Sequence, residues 1–214
     1  MWSMTEVSSL TGRLLVATPA LADPNFDRAV VLLLDHDEEG SLGVVLNRPT
    51  PVDVGDILEG WGELAGAPGV VFQGGPVSLD SALGVAVIPG EEAPPSARRR
   101  TGAGDPGPGP RLRSGRGDPT GFRRVHGAIG LVDLEAPPER LASALGALRI
   151  FAGYSGWGPG QLETELAEGA WYVVESEPGD VSSPDPERLW RAVLRRQRSE
   201  LAMVATYPDD PSMN

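Results

Sequence analysis

A chain of 214 residues is long enough to bury one substantial core, and it carries 30 acidic against 18 basic side chains, a formal charge of −12. It has no cysteine and every basic residue is arginine, which excludes disulfides, zinc–thiolate sites, thiol redox chemistry and Schiff-base or P-loop lysine chemistry. The acidic balance disfavours wrapping nucleic acid or coating an anionic membrane, because phosphate contacts dominate such affinity.

Residues before Thr11 read as a polar lead, and Gly12 to Thr18, GRLLVAT, as a first strand. After a loop with two prolines, Arg28 to His36, RAVVLLLDH, has too long an apolar run for a half-exposed strand, which predicts a central strand buried on both faces. Asp37-Glu38-Glu39-Gly40 turns the chain, and Leu42 to Asn47 returns as the second arm of a hairpin. Asp53 is placed to cap a short helix with Val54, Ile57, Leu58 and Trp61 on one face. Val70 to Gln73 is a short strand ending at the Gly74-Gly75-Pro76-Val77 turn, and Leu83 to Ile88 is another.

From Glu91 to Arg124 arginine, glycine and proline crowd together, with Leu112 the one large apolar residue between Pro94 and Gly121. Eight arginines against four acids give this segment +4 and leave −16 to the remainder. It has too little to bury to offset its ordering entropy, so residues 93–121 are expected to be a disordered insertion within one domain of residues 11–210. An arginine–glycine stretch can bind RNA, but a loop expansion is the preferred account.

Beyond it, Ile129 to Leu134 resumes strand character, and Pro138 to Leu148 reads as a helix. Arg149 to Ala152 is a strand running into the stretch Gly153 to Trp171, GYSGWGPGQLETELAEGAW, which reads as a glycine-rich loop, a helix opened by Pro159, a glycine stop at Gly169 and a further strand, AWYVVE. Asp185 and Pro186 then open the longest helix, with Leu189, Trp190, Val193, Leu194 and Leu201 facing the core. No apolar run approaches the length of a bilayer span and the N-terminus lacks a signal peptide's features, so a soluble cytoplasmic protein is expected.

Chemistry is sparse. A glycine-rich loop before a helix can cradle phosphate, but the 153–171 stretch has no arginine and carries Glu163, Glu165 and Glu168, so a packing turn is preferred to an anion site. Gly153-Tyr154-Ser155-Gly156-Trp157 approaches a nucleophile elbow, yet Trp157 replaces the closing glycine. His36, between Asp35 and Asp37, could be a base or ligand, but His126 is the one other histidine, and a hydrogen-bonded structural role at the hairpin is preferred. Asn47 is expected to close the hairpin end through its side chain. Arg48 is free to pair with a ligand carboxylate or with a glutamate of the 153–171 stretch. Trp157 and Trp171 are expected to staple core rather than stack a ligand.

Three motifs occur in the order of one known family: GRLLVATPALADPNFDRAVVLLLDHDEEGSLGVVLNRP, FQGGPV, and GYSGWGPGQLETELAEGAW. Over nearly the whole chain outside the insertion and termini, the sequence resembles the AlgH/YqgE family of bacterial proteins. The resemblance implies an α+β domain with a mixed, strongly bent, partly barrel-like sheet surrounded by helices. It implies no reaction, only a link by name to transcriptional regulation of alginate production. The family's characteristic positions fall here on Pro19, Asp23, Phe26, His36, Gly43, Asn47, Arg48 and Pro49, on Gly74 to Val77, and on Gly153, Gly156, Trp157, Gly160 to Glu163, Glu165 and Trp171. Some members carry cysteines that invite a redox role, for which this chain has no thiol.

The expectation is a non-catalytic regulatory or binding protein with no cofactor and no metal, an unidentified protein or small-molecule partner, and no direct DNA binding. The alternative is an enzyme with a cleft near the 153–171 stretch. Candidate ligand-binding residues are His36, Asn47, Arg48, Gly74, Gly75, Ser155, Trp157, Gln161 and Glu163. Convergence in one pocket favours the enzyme, and dispersal over separate turns favours structure.

Overall fold

The computed structural model describes residues 9–89 and 118–208. Strands β1 (Leu14–Ala17), β2 (Val30–Asp37) and β3 (Gly40–Val45) are successive antiparallel neighbours. Along β2, Val30, Leu32 and Leu34 enter one core cluster and Val31 and Leu33 enter another, so both faces of this strand are buried, as its unbroken apolar run requires.

Next come β4 (Pro49–Asp53), α1 (Val54–Ile57), β5 (Val70–Gln73) and β6 (Val77–Val87). Then follow β7 (Phe122–His126), β8 (Ile129–Val132), α2 (Glu139–Ala142), β9 (Ala147–Trp157), α3 (Gln161–Ala167) and β10 (Trp171–Val174). The chain ends in α4 (Pro178–Val181), a 3-10 turn at Pro186–Arg188, α5 (Leu189–Arg195) and α6 (Leu201–Val204).

The strands form one ten-stranded sheet, curled into a half-barrel, in the order β10-β1-β2-β3-β9-β6-β8-β7, with β4 on β5 and β5 on β9. The β5–β9 pair is parallel, which makes a mostly antiparallel sheet mixed. On one side α5 packs Trp190, Val193 and Leu194 into the sheet. On the other, Leu162 of α3 joins Trp157 and Trp171 against β2, and a third cluster gathers Trp61, Phe122, Leu141 and Ile150.

Several local expectations are corrected. The glycine-rich loop at 153–157 is strand: β9 runs through it, paired to β3 at Gly43–Ser155, Leu42–Gly156 and Ser41–Trp157. Pro159 does not open a helix. Gly160, at φ 72°, is the cap of α3, a left-handed position that suits a residue without a Cβ. The helix read over 138–148 is a single turn, because Gly146 donates its N–H to Val87 and Leu148 is already paired with β6. Ile57 is exposed, since α1 is one turn long, although Asp53 caps it by accepting from Gly55 N. Asp185 makes no side-chain cap and pairs with Arg188 at 3.2 Å instead. The last helix is broken before Leu201.

Strand β4 escaped notice because Pro49 and Pro51 lack N–H donors, and Thr50 Oγ1 donates to Val71 O at 2.7 Å beside its sparse pairing. The insertion expected over 93–121 lies outside the described residues as far as 117. Of its described end, Asp118 pairs with Arg124 at 2.5 Å, which ties it to β7.

Candidate functional site

The candidate residues fall into two groups at opposite ends of the β2–β3 hairpin. At the turn end, His36 is buried at the close of β2. Its Nδ1 shares a 2.7 Å hydrogen bond with Ser41 Oγ across the turn, and its Nε2 stands 3.6 Å from Glu163 Oε1 of α3. Trp157, buried at the end of β9, donates its indole N–H to Glu165 at 2.9 Å. Gln161 donates to the other oxygen of Glu165 at 3.0 Å and accepts from Gly158 N at 3.1 Å. Phe26 lies stacked on Trp157, with ring centroids 6.1 Å apart, and edge-on to Trp171. A shallow cleft of about 270 Å³ opens beside Trp157 and Ser41, lined by Asp35, Asp37 and Glu39.

At the other end, Asn47 is buried where β3 finishes. Its amide donates to Arg28 O at 2.8 Å and accepts from Val30 N at 2.9 Å, which serves the backbone at the start of β2 as a strand neighbour would. Gly74 O accepts both Val45 N–H and the hydroxyl of the fully buried Ser155, so the Gly74-Gly75 turn stitches β3 to β9. The approach there is close. A Cβ on Gly74 would stand 2.4 Å from Gly153 O, and one on Gly75 would stand 2.3 Å from Tyr154 backbone.

Arg48 follows Asn47 and donates to the carbonyls of Asp27 and Asn47. Burial lowers its pKa below the ordinary arginine value, against a smaller opposing effect of the Asp27 charge. It borders a cleft of about 370 Å³ lined also by Arg28, Arg191, Asp27, Glu187 and Trp190. On its other side is a hollow of about 100 Å³ among Asn25, Gln73 and Gly75. Arg28 holds a left-handed backbone at φ 51° and sets its guanidinium 4.9 Å over the Trp190 ring. It also donates to Pro208 O, while Arg191 donates to the carbonyls of Ala205 and Tyr207.

The structure therefore brings together His36, Trp157, Gln161 and Glu163, and separately Asn47, Arg48, Gly74, Gly75 and Ser155. Sequence reasoning missed Ser41, Arg28 and Arg191. The hairpin it predicted carried the signal for the first two, because Ser41 must face His36 across the turn and Arg28 must lie beside Arg48 at the open end. Arg191 arrives from a distant helix and left no local sign. Among the described residues no three His, Asp or Glu side chains are grouped to hold a metal ion, and no helix is long and apolar enough to cross a membrane.

A curled half-barrel with its hairpin ends tied in this way defines an α+β protein. A family model described as AlgH-like matches residues 14–202, and the chain belongs to this AlgH-like family. It is 80% identical over 214 residues to a UPF0301 protein of Streptomyces avermitilis, covering 100% of both chains. A UPF0301 protein of Thermobifida fusca is 47% identical over 207 residues, covering 96% of each. Among solved structures, the crystal structure of a Corynebacterium diphtheriae protein is similar with a TM-score of 0.76 and 28% identity over 92% of each chain. The solution structure of AlgH from Pseudomonas aeruginosa shares the fold, with a TM-score of 0.59 at 24% identity, covering 98% of this chain and 100% of that one.

Proposed function

We propose that this chain is a cytoplasmic, non-catalytic binding protein that acts in regulation through a ligand or protein partner rather than by gripping DNA. The observation that carries the reading is what the candidate side chains do. Asn47 bonds the backbone of β2, Ser155 bonds Gly74 O, and Trp157 and Gln161 both bond Glu165. Residues committed to holding two separate seams of the sheet are poorly placed to act on one substrate. The regulatory part of the reading rests on the likeness to AlgH.

A thermal-shift screen against metabolites, with recovery of any stabilising compound for mass spectrometry, tests it. The expected result is a compound that raises the melting temperature and is recovered unchanged. A compound converted to product would overturn the reading.

An enzyme reading has one observation in its favour. Ser41, His36 and Glu163 form a line of hydroxyl, imidazole and carboxylate with separations of 2.7 and 3.6 Å, the order a nucleophile, base and orienting group require. The acidic lining of the adjacent cleft opposes it, because Asp35, Asp37 and Glu39 would repel a developing oxyanion. Hydrolysis of p-nitrophenyl acetate that is abolished by Ser41→Ala would establish the enzyme; equal rates in both proteins would dismiss it.

A further inference from the structure

We infer that the cleft at the open end of the β2–β3 hairpin is a binding site for a small oxyanion-bearing molecule, a phosphomonoester or a carboxylate, gripped by Arg48 with Arg28 and Arg191 around it. The inference rests on the non-catalytic reading and names the ligand class that reading leaves open.

Three independent parts of the chain supply the arginines: the approach to β2, the residue before β4, and α5. On a chain of formal charge −12, the described lining of this cleft gathers three guanidinium groups beside two carboxylates, Asp27 and Glu187. A guanidinium presents its donors in a planar fork that matches phosphate and carboxylate oxygens, which an ammonium does not. The volume of about 370 Å³ falls in the range that encloses small metabolites.

Arg48 is the centre of the argument. Its hydrogen bonds go to backbone carbonyls, which accept protons without cancelling charge. Burial outweighs the nearby Asp27 carboxylate in its effect on the guanidinium, so an entering anion offsets a desolvation cost already present in the unliganded protein. The position is held firmly. Arg28 O is fixed by the Asn47 amide, Arg48 O accepts from Gln73 N at 2.8 Å, and the Trp190 indole beneath Arg28 donates to Ala17 O at 2.9 Å. Arg28 and Arg191 are each tied by carbonyls of residues 205–208, so the cleft is oriented before a ligand arrives, which reduces the ordering cost of binding.

The two carboxylates also set a limit. Asp27 and Glu187 would repel a second anionic group placed near them, so a ligand with its charge at one end fits better than a polyanion such as nucleic acid.

The test is a calorimetric and thermal-shift titration of the full chain with inorganic phosphate, glycerol 1-phosphate and acetate, at constant ionic strength made up with chloride. Saturable binding of at least one probe is expected, and the arm that binds identifies the phosphate or the carboxylate class. Arg48→Gln should weaken it about tenfold or more, the effect of losing a charge-assisted hydrogen bond, and Arg48→Lys should fall between. Glu187→Gln, at an exposed rim position, should tighten it.

No saturable binding of any probe in the full chain, or binding of equal strength in Arg48→Gln, overturns the site. The Glu187→Gln result keeps the proposal answerable if Arg48→Gln fails to fold, since binding indifferent to Glu187 also overturns it. A probe recovered as a different compound would sink the non-catalytic reading while leaving the anion site standing.

Discussion

Trp157 and Trp171 meet edge to face, with ring centroids 6.1 Å apart and planes at 78°, and both direct their indole N–H at the same oxygen of Glu165, at 2.9 and 2.8 Å. One ends β9 and the other begins β10, and α3 between them carries the carboxylate. A single oxygen therefore satisfies two buried donors and sets how the helix lies on the sheet.

Glu165→Ala leaves both indole donors without an acceptor and should cost about 2–4 kcal/mol of unfolding free energy. Glu165→Gln keeps an acceptor oxygen and should cost clearly less. Urea denaturation of the two variants checks this, and equal losses would show that the helix contact, not the hydrogen bonds, matters.

Trp157→Ala removes a buried ring that Phe26 and Trp171 both touch. A loss of about 3–5 kcal/mol is expected, as for other large aromatic truncations. A change below about 1 kcal/mol would mean the ring sits at a surface meant for something else.

Gly74→Ala would force a Cβ to within 2.4 Å of Gly153 O, a backbone atom fixed in β9. The seam must open, so destabilisation of about 3 kcal/mol or more is expected. Ala substitution at Gly69, where a Cβ meets nothing within 4 Å, is the control and should change stability little. Comparable melting temperatures for the two variants would contradict the crowding.

Arg149 is 2% exposed, its guanidinium 4.2 Å from the centre of the Phe72 ring, bonded at 3.0 Å to each of the Ala67 and Ser183 carbonyls. Its Nε and Nη1 atoms meet no acceptor among the described residues. Burial lowers its pKa to about 10. The unfolded chain therefore binds this proton more tightly, so the cost to stability is full below about pH 10 and fades as pH rises toward the ordinary arginine value. Removing the charge relieves that cost, so Arg149→Met should leave stability at neutral pH within about 1 kcal/mol of the parent, or raise it. A loss above about 3 kcal/mol in urea denaturation would show that the cation is compensated after all.

The acidic body predicts no sequence-specific DNA binding at physiological salt. A titration of the isolated protein against one duplex and its scrambled control should show no difference. Submicromolar preference for one sequence would restore direct regulation.

The sequence disclosed what rests on local pattern. The unbroken run at Val30 to Leu34 showed a strand buried on both faces, and Gly169, observed at φ 77°, showed where α3 stops. It misled where distant pairing overrode local pattern. Gly153 to Trp157 looks like a loop because nothing nearby reveals that Ser41 to Gly43 and Val77 bond to it. Leu145 and Leu148 keep helical spacing with Leu141, yet Leu148 is claimed by β6. The sequence named the candidate residues as one set, and their division between two ends of a hairpin needed the fold. Arg191 joined Arg48 through the placement of α5 alone.

Strand β9 touches three partners, β3, β5 and β6, and β10 closes onto β1 at the opposite end of the chain. On the ribosome, the β2–β3 hairpin can form as soon as it emerges, but its outer edge has no neighbour until Ser155 to Trp157 are synthesised. The apolar faces of β2 stand exposed longer still, until α3 and α5 follow, so closure is a late, long-range event. Nascent chains of this protein are thus candidates for early chaperone capture, with release timed to the emergence of α5.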